Sequence, residues 1–127
     1  MKKNLNRNVA SGVEYALVAN IEDKYVKLSI QKVNKNIKDP KIAICVKFKN
    51  FDKFKKLISK ELENNSSPKG NTIATLYCIY GCEILKLIKI GDRQYEARMY
   101  YSYRRPRNKN FADSVALTAV DLEKFLI

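Results

Sequence analysis

Tyrosine and basic residues are interleaved along one stretch of this chain, Tyr95–Lys109, which reads YEARMYYSYRRPRNK. It brings together Arg98, Tyr100, Tyr103, Arg104, Arg105, Arg107 and Lys109. Aromatic rings stack on unpaired bases, at about 1–3 kcal/mol per base, while cations track the phosphates between them. A guanidinium plane can do both, by stacking and by forked hydrogen bonds to phosphate. Residue types in this pattern point to a single-stranded nucleic acid as ligand. Strand alternation places Tyr95, Ala97, Met99, Tyr101 and Tyr103 on one face and Glu96, Arg98, Tyr100, Ser102 and Arg104 on the other. The first face is the more apolar, so Tyr95 and Tyr101 are expected in the core and Tyr100 is the better stacking residue.

The first half of the chain offers a second cationic set, Tyr25, Lys27, Gln31, Lys35, Lys38, Lys41, Lys47 and Lys49. Tyr25 is the one ring among them, so this surface is expected to track phosphates rather than stack on bases. The run Lys53, Lys55, Lys56 and Lys60 falls on a helical pattern and reads as a solvated helix face. Net charge follows the same division. The 127 residues carry +12 in all; residues 1–60 contribute +10, almost wholly from lysine, and residues 61–127 contribute +2 with five arginines. A balance this basic favours an anionic partner.

Other chemistries are poorly supplied. The chain has no histidine, the commonest general base and a frequent metal ligand. It has no glycine-rich phosphate loop and no serine in a nucleophile-elbow pattern, and its carboxylates are scattered. An enzyme, a cofactor and a metal are therefore not expected. The cysteines, Cys45, Cys78 and Cys82, are odd in number and read as buried free thiols in a reducing compartment. MKKNLNRNV lacks the apolar core of a signal peptide, and Ile73–Ile90 is interrupted by Gly81, Glu83, Lys86 and Lys89. The expectation is a soluble cytoplasmic protein, nucleoid association and homodimerisation included, with no membrane partner. A second functional reading is a small basic interaction factor, of viral or mobile-element type, docking on an acidic protein; duplex DNA or structured RNA is a third.

Period-2 patterning predicts strands over 13–21, 25–33 and 41–49, with Ile42, Ile44, Val46 and Phe48 inward and Lys41, Ala43, Cys45, Lys47 and Lys49 outward. The period then changes to 3.6: Phe51, Phe54, Leu57, Ile58 and Leu62 form one helical stripe over 50–64, with Asn50 as its N-cap. After the loop NNSSPKGN, strands are predicted over 72–80, 83–90, 94–104 and 114–118, with Gly91-Asp92 as a hairpin turn. Thr118-Ala119-Val120-Asp121 has capping-box spacing and opens a last helix.

The second half thus echoes the first. An ungapped shift of 69 residues gives nine identities in the 46 pairs from 13–58, Glu14/Glu83, Ile21/Ile90, Asp23/Asp92, Val46/Val115 and Asp52/Asp121 among them, where chance gives roughly three or four. It also makes residues 3–11 a candidate first strand. The fold class expected is α+β: two tandem strand–strand–strand–strand–helix units, 1–69 and 70–127, packed as an intramolecular pseudo-dimer in one compact domain.

This layout resembles the whirly-type single-stranded nucleic-acid-binding folds: the plant Whirly proteins, the transcriptional coactivator positive cofactor four and the purine-rich-element-binding repeats. The closest local likeness is GDRQYEARMYYSYRRPRNKNFADSVALTAVDLEKFL, Gly91–Leu126, which is similar to the coactivator's final hairpin, loop, strand and helix. The resemblance implies a non-catalytic, largely sequence-tolerant binder whose sheet faces and hairpins form a basic, aromatic-lined path for unpaired bases.

Overall fold

The computed structural model describes residues 7–33, 42–101 and 113–127. Its element order is β1 (Arg7–Ser11), β2 (Tyr15–Ile21), β3 (Val26–Lys32), β4 (Ala43–Val46), α1 (Phe48–Asn64), β5 (Thr72–Tyr77), β6 (Ile84–Gly91), β7 (Gln94–Tyr100), β8 (Asp113–Thr118) and α2 (Ala119–Phe125). The strands form two antiparallel meanders, β1-β2-β3-β4 and β5-β6-β7-β8, each followed by a helix. This is the α+β arrangement of two four-strand-plus-helix units read from the sequence. Among the described residues, no helix is long and apolar enough to cross a membrane.

Alternation buries one face of each sheet. Leu17, Leu28, Ile30, Ile44 and Val46 from the first, with Leu76, Leu85, Leu87, Tyr95 and Leu117 from the second, belong to one contiguous core. Both helices close it. Phe51, Phe54 and Phe125 meet with ring centroids 6.0–6.5 Å apart, Phe125 edge-on to the other two.

The helices pack reciprocally: α1 lies against β5, the first strand of the other sheet, and α2 against β1. The amide of Asn8 in β1 donates to the Phe125 carbonyl at 2.6 Å, satisfying an end of α2. The loops cross over in the same sense. The Ile79 amide, after β5, donates to the Cys45 carbonyl of β4 at 2.8 Å. Gly12, after β1, lies so close to β8 that a Cβ there would sit 2.7 Å from the Ala116 carbonyl oxygen.

The two halves do not keep a constant register. Val26 pairs with Val46, whereas Tyr95, 69 residues on, pairs with Leu117, 71 residues on from Val46. The helices likewise start 71 apart, at Phe48 and Ala119. Working toward the N-terminus, Leu17 opposite Ile30 matches Leu85 opposite Met99, so β2 and β6 are offset by 68; Ala10 opposite Leu17 matches Leu76 opposite Leu85, so β1 and β5 are offset by 66. Three irregularities account for the drift: a β5–β6 loop of Cys78–Glu83 against Gly12–Glu14, a bulge between Lys89 and Gly91, and a longer β7–β8 connection. The identities Val46/Val115 and Asp52/Asp121 are therefore not structural equivalents; Ile44 is the counterpart of Val115.

Other expectations need correction. The helix begins two residues before Asn50 and its N-cap is Lys47, which makes no side-chain cap hydrogen bond. Phe48 is then a helical residue, exposed rather than inward. Leu57 is exposed, and the buried stripe is Phe51, Phe54, Ile58 and Glu61. β5 stops at Tyr77 rather than reaching Tyr80. The β6–β7 turn is centred on Asp92 and Arg93, with Arg93 in the left-handed region at φ 55°. The capping box of α2 is present in full: the Thr118 amide donates to Asp121 Oδ2 at 2.9 Å and the Asp121 amide to Thr118 Oγ1 at 3.2 Å.

A polar cluster fastens the two halves. Lys89 follows Leu85 and Leu87 on the core face of β6, and its Nζ reaches Glu61 Oε2 of α1 at 2.9 Å and Asn65 Oδ1 at 2.7 Å. The hydroxyl of Tyr95, paired with Lys89 across the hairpin, donates to the same Glu61 oxygen at 2.8 Å. The Ser67 amide approaches the other carboxylate oxygen at 3.3 Å. Burial alone would push the Glu61 carboxyl up, but the donors Lys89, Tyr95 and Ser67 outweigh it and hold it below its ordinary value. Burial, then the Glu61 carboxylate, raises Tyr95 well above the usual phenol range.

Removing one member leaves an uncompensated buried group, which typically costs about 3–5 kcal/mol. Lys89→Met is expected to destabilise on that scale in urea denaturation, and Glu61→Leu with Lys89→Met by less than the two single changes added. The linkage signs are opposite for the two acids. Glu61, lowered on folding, stabilises above the ordinary carboxylate pKa and loses that contribution as pH falls through its folded value. Tyr95, raised on folding, contributes below the ordinary value of 10.0 and is lost as pH climbs beyond it. Stability measured against pH should therefore fall at both extremes, and Tyr95→Phe should weaken the alkaline fall. Gly12→Ala should destabilise too, since the obstructing atom is backbone.

Candidate nucleic-acid interface

Each sheet turns its second face away from the shared core, and strand register sets the side chains there in rows. On the second sheet, Tyr77 of β5, Ile84 of β6 and Tyr100 of β7 form one row. Ile84 is buried and Tyr100 half-buried, while Tyr77 is 54% exposed. The next row is Thr75, Lys86, Arg98 and Ser114. Lys86 and Arg98 therefore face one another directly across β6 and β7. Like charges in that position destabilise a sheet.

Neighbouring groups temper the repulsion. Arg98 Nε lies 2.6 Å from Glu96 Oε1, and Lys86 Nζ sits 5.8 Å from the Tyr100 ring centroid. Burial would lower the Arg98 guanidinium, but Glu96 and Tyr100 more than compensate and keep it fully charged. The result is a cationic row beside a tyrosine row on one sheet face, a geometry suited to phosphates next to stacked bases.

On the first sheet, the corresponding face carries the row Arg7, Asn20, Lys27 and Cys45, with Arg7 and Lys27 exposed. Tyr25 stands immediately before β3. It is not the sole ring here: Tyr80, from the β5–β6 loop of the other unit, meets it edge-on with centroids 5.9 Å apart and an interplanar angle of 84°. Tyr80 is 71% exposed. Lys47 and Lys49 are exposed, but as the N-cap and second residue of α1 rather than outward strand positions.

Cys45 lies beside Tyr25 of this ring pair, with Cys78 next to it. Cys45, Cys78 and Cys82 are free and half-buried rather than fully buried. The Cys45 amide donates to Cys78 Sγ at 3.4 Å. Burial, followed by Cys78, pushes the Cys45 thiol up, and the thiol beside it in turn raises Tyr25. Among the described residues, no three His, Cys, Asp or Glu side chains cluster as a metal site would require.

Of the residues singled out from the sequence, the structure thus places Arg98 and Tyr100 together on the second sheet, and Tyr25 and Lys27 on the first. Lys35, Lys38, Lys41, Tyr103, Arg104, Arg105, Arg107 and Lys109 lie outside the described residues. Tyr95 is wholly buried, as expected, but Tyr101, expected in the core, is 57% exposed because β7 ends at Tyr100. Tyr77, Tyr80, Lys86 and Arg7 went unrecognised as site residues. For Tyr77 the signal was present: Ala74 and Leu76 alternate inward, which sends Tyr77 outward. Tyr80 had no local signal, since its partner is in the other half. Comparison with protein-family models, with curated proteins and with solved structures finds nothing that matches this chain.

Proposed function

We propose that this protein is a non-catalytic, largely sequence-tolerant binder of single-stranded DNA or RNA, built as an intramolecular pseudo-dimer of whirly type. The reciprocal seating of α1 on β5 and α2 on β1, and of Ile79 on Cys45 and Gly12 beside Ala116, supports the pseudo-dimer. One observation carries the binding reading: Lys86 and Arg98, like charges opposed across a sheet, adjoin the row of Tyr77 and Tyr100. A polyanion would relieve that repulsion, and its bases would find rings one row away.

A second reading rests on a different surface. Lys49, Lys53, Lys56 and Lys60 are exposed along α1, as a stripe that would suit an acidic protein. A pull-down that survives nuclease treatment, and is lost when these lysines become glutamates, would favour it.

Fluorescence anisotropy with labelled oligo-dT at several salt concentrations tests the main proposal. Affinity should fall linearly on a log–log plot against salt. Tyr100→Ala should weaken binding by about 1–3 kcal/mol with the slope kept, and Lys86→Ala should flatten the slope by about 0.7. No binding at low salt, or binding without salt dependence, would sink the proposal.

A further inference from the structure

The two cross-unit junctions are built alike but filled differently. Where the β5–β6 loop crosses β4, Tyr80 lies against Tyr25. At the other junction, where the β1–β2 loop crosses β8, the counterpart of Tyr25 is Gln94: Gly91 and Gln94 close the β6–β7 turn as Glu22 and Tyr25 close the β2–β3 turn. The shorter β1–β2 loop supplies no ring to match Tyr80. A cleft of 460 Å³ remains there, bordered by Ser11, Gly12 and Val13 on one side and by Gln94, Thr118 and Asp121 on the other. That volume is within the range of small-molecule sites, about 300–1,000 Å³.

We infer that this cleft is a nucleobase site, holding one unpaired base where the opposite junction carries the exposed Tyr80 ring against Tyr25. The inference rests on the nucleic-acid reading above and adds to it a specific subsite. The opposite junction shows that this backbone frame accommodates a planar ring. The lining selects a base over a phenyl group. The Gln94 side chain carries both a donor and an acceptor, and Asp121, with Oδ2 engaged by the Thr118 amide, offers its second oxygen as an acceptor for an exocyclic amino group. Val13, 91% exposed at the rim, supplies apolar surface for a base to cover.

Adenosine is the probe, titrated into the ¹⁵N-labelled full chain and followed by amide chemical shifts, with phenol as a second probe. Saturable shifts at Gly12, Val13, Gln94 and Thr118 are expected with adenosine. They should be lost in Gln94→Tyr, which installs the tyrosine of the opposite junction at an exposed position; Ser11→Tyr fills the cleft from its other wall should the first variant not fold. If adenosine leaves these amides unmoved while oligo-dT still binds, the cleft is not a base site and the broader reading stands. If phenol shifts them more than adenosine does, the inference is overturned in favour of an aromatic side chain of a protein partner. If adenosine titrates them but oligo-dT does not bind at all, the subsite holds and the broader reading falls.

Discussion

The contact between Glu61 and Lys89 governs how the halves of this molecule meet. Two charges are withdrawn from water in an otherwise apolar core, and only the 2.9 Å separation and the surrounding donors and acceptors make that tolerable. Tyr95 and Ser67 complete the carboxylate, and Asn65 takes a further ammonium proton. Geometry this demanding admits few alternatives. The C-terminal turn of α1 must lie over β6 and β7, Asn65 must adopt its left-handed cap with φ 48°, and the following loop must bring Gly70 and Asn71 to the Lys89 backbone. An apolar contact in the same place would slide; this one fixes a register between units.

The two helices are fastened differently. α1 runs 17 residues, and its last turns carry the glutamate and the cap that reach the other sheet. α2 runs seven residues; Phe51 and Phe54 meet its buried Phe125, and Asn8 satisfies its end. A repeated topology has thereby come to hold two different kinds of fastening, one ionic and one aromatic.

Most of the fold was legible because burial imposes a period. The strands holding Leu28, Ile44 or Ala97 and the stripe Phe51–Phe54–Ile58 announce themselves by alternation or by 3.6-residue spacing, and Thr118–Asp121 by its capping chemistry. The misreadings share a cause: a long-range partner outweighs the local pattern. Glu61 looks solvent-facing until Lys89 is placed beside it. Tyr80 looks like a strand residue until Tyr25 is seen across the junction. The fixed 69-residue shift holds for β3 against β7 and is lost in the other strands for a related reason. A bulge or two added loop residues leave inside and outside unchanged within each strand, yet displace every equivalence beyond them. The candidate site was legible for Arg98 and Tyr100, which share a strand, and not for Tyr77 and Lys86, which reach them only through pairing of β5, β6 and β7.

The reciprocal seating of the helices also bears on how the chain acquires its structure during synthesis. The first sheet is made before β5, against which α1 lies, and β1 is made well before α2, which packs on it. Because one core draws on both sheets, many of its contacts are distant in sequence, which is expected to slow folding. β1 and β4 are the edge strands of the first sheet, and exposed Arg7, Lys47 and Lys49, in or beside them, disfavour edge-to-edge pairing by charge repulsion. Basic side chains at these edges thus guard against self-association, apart from any part in binding.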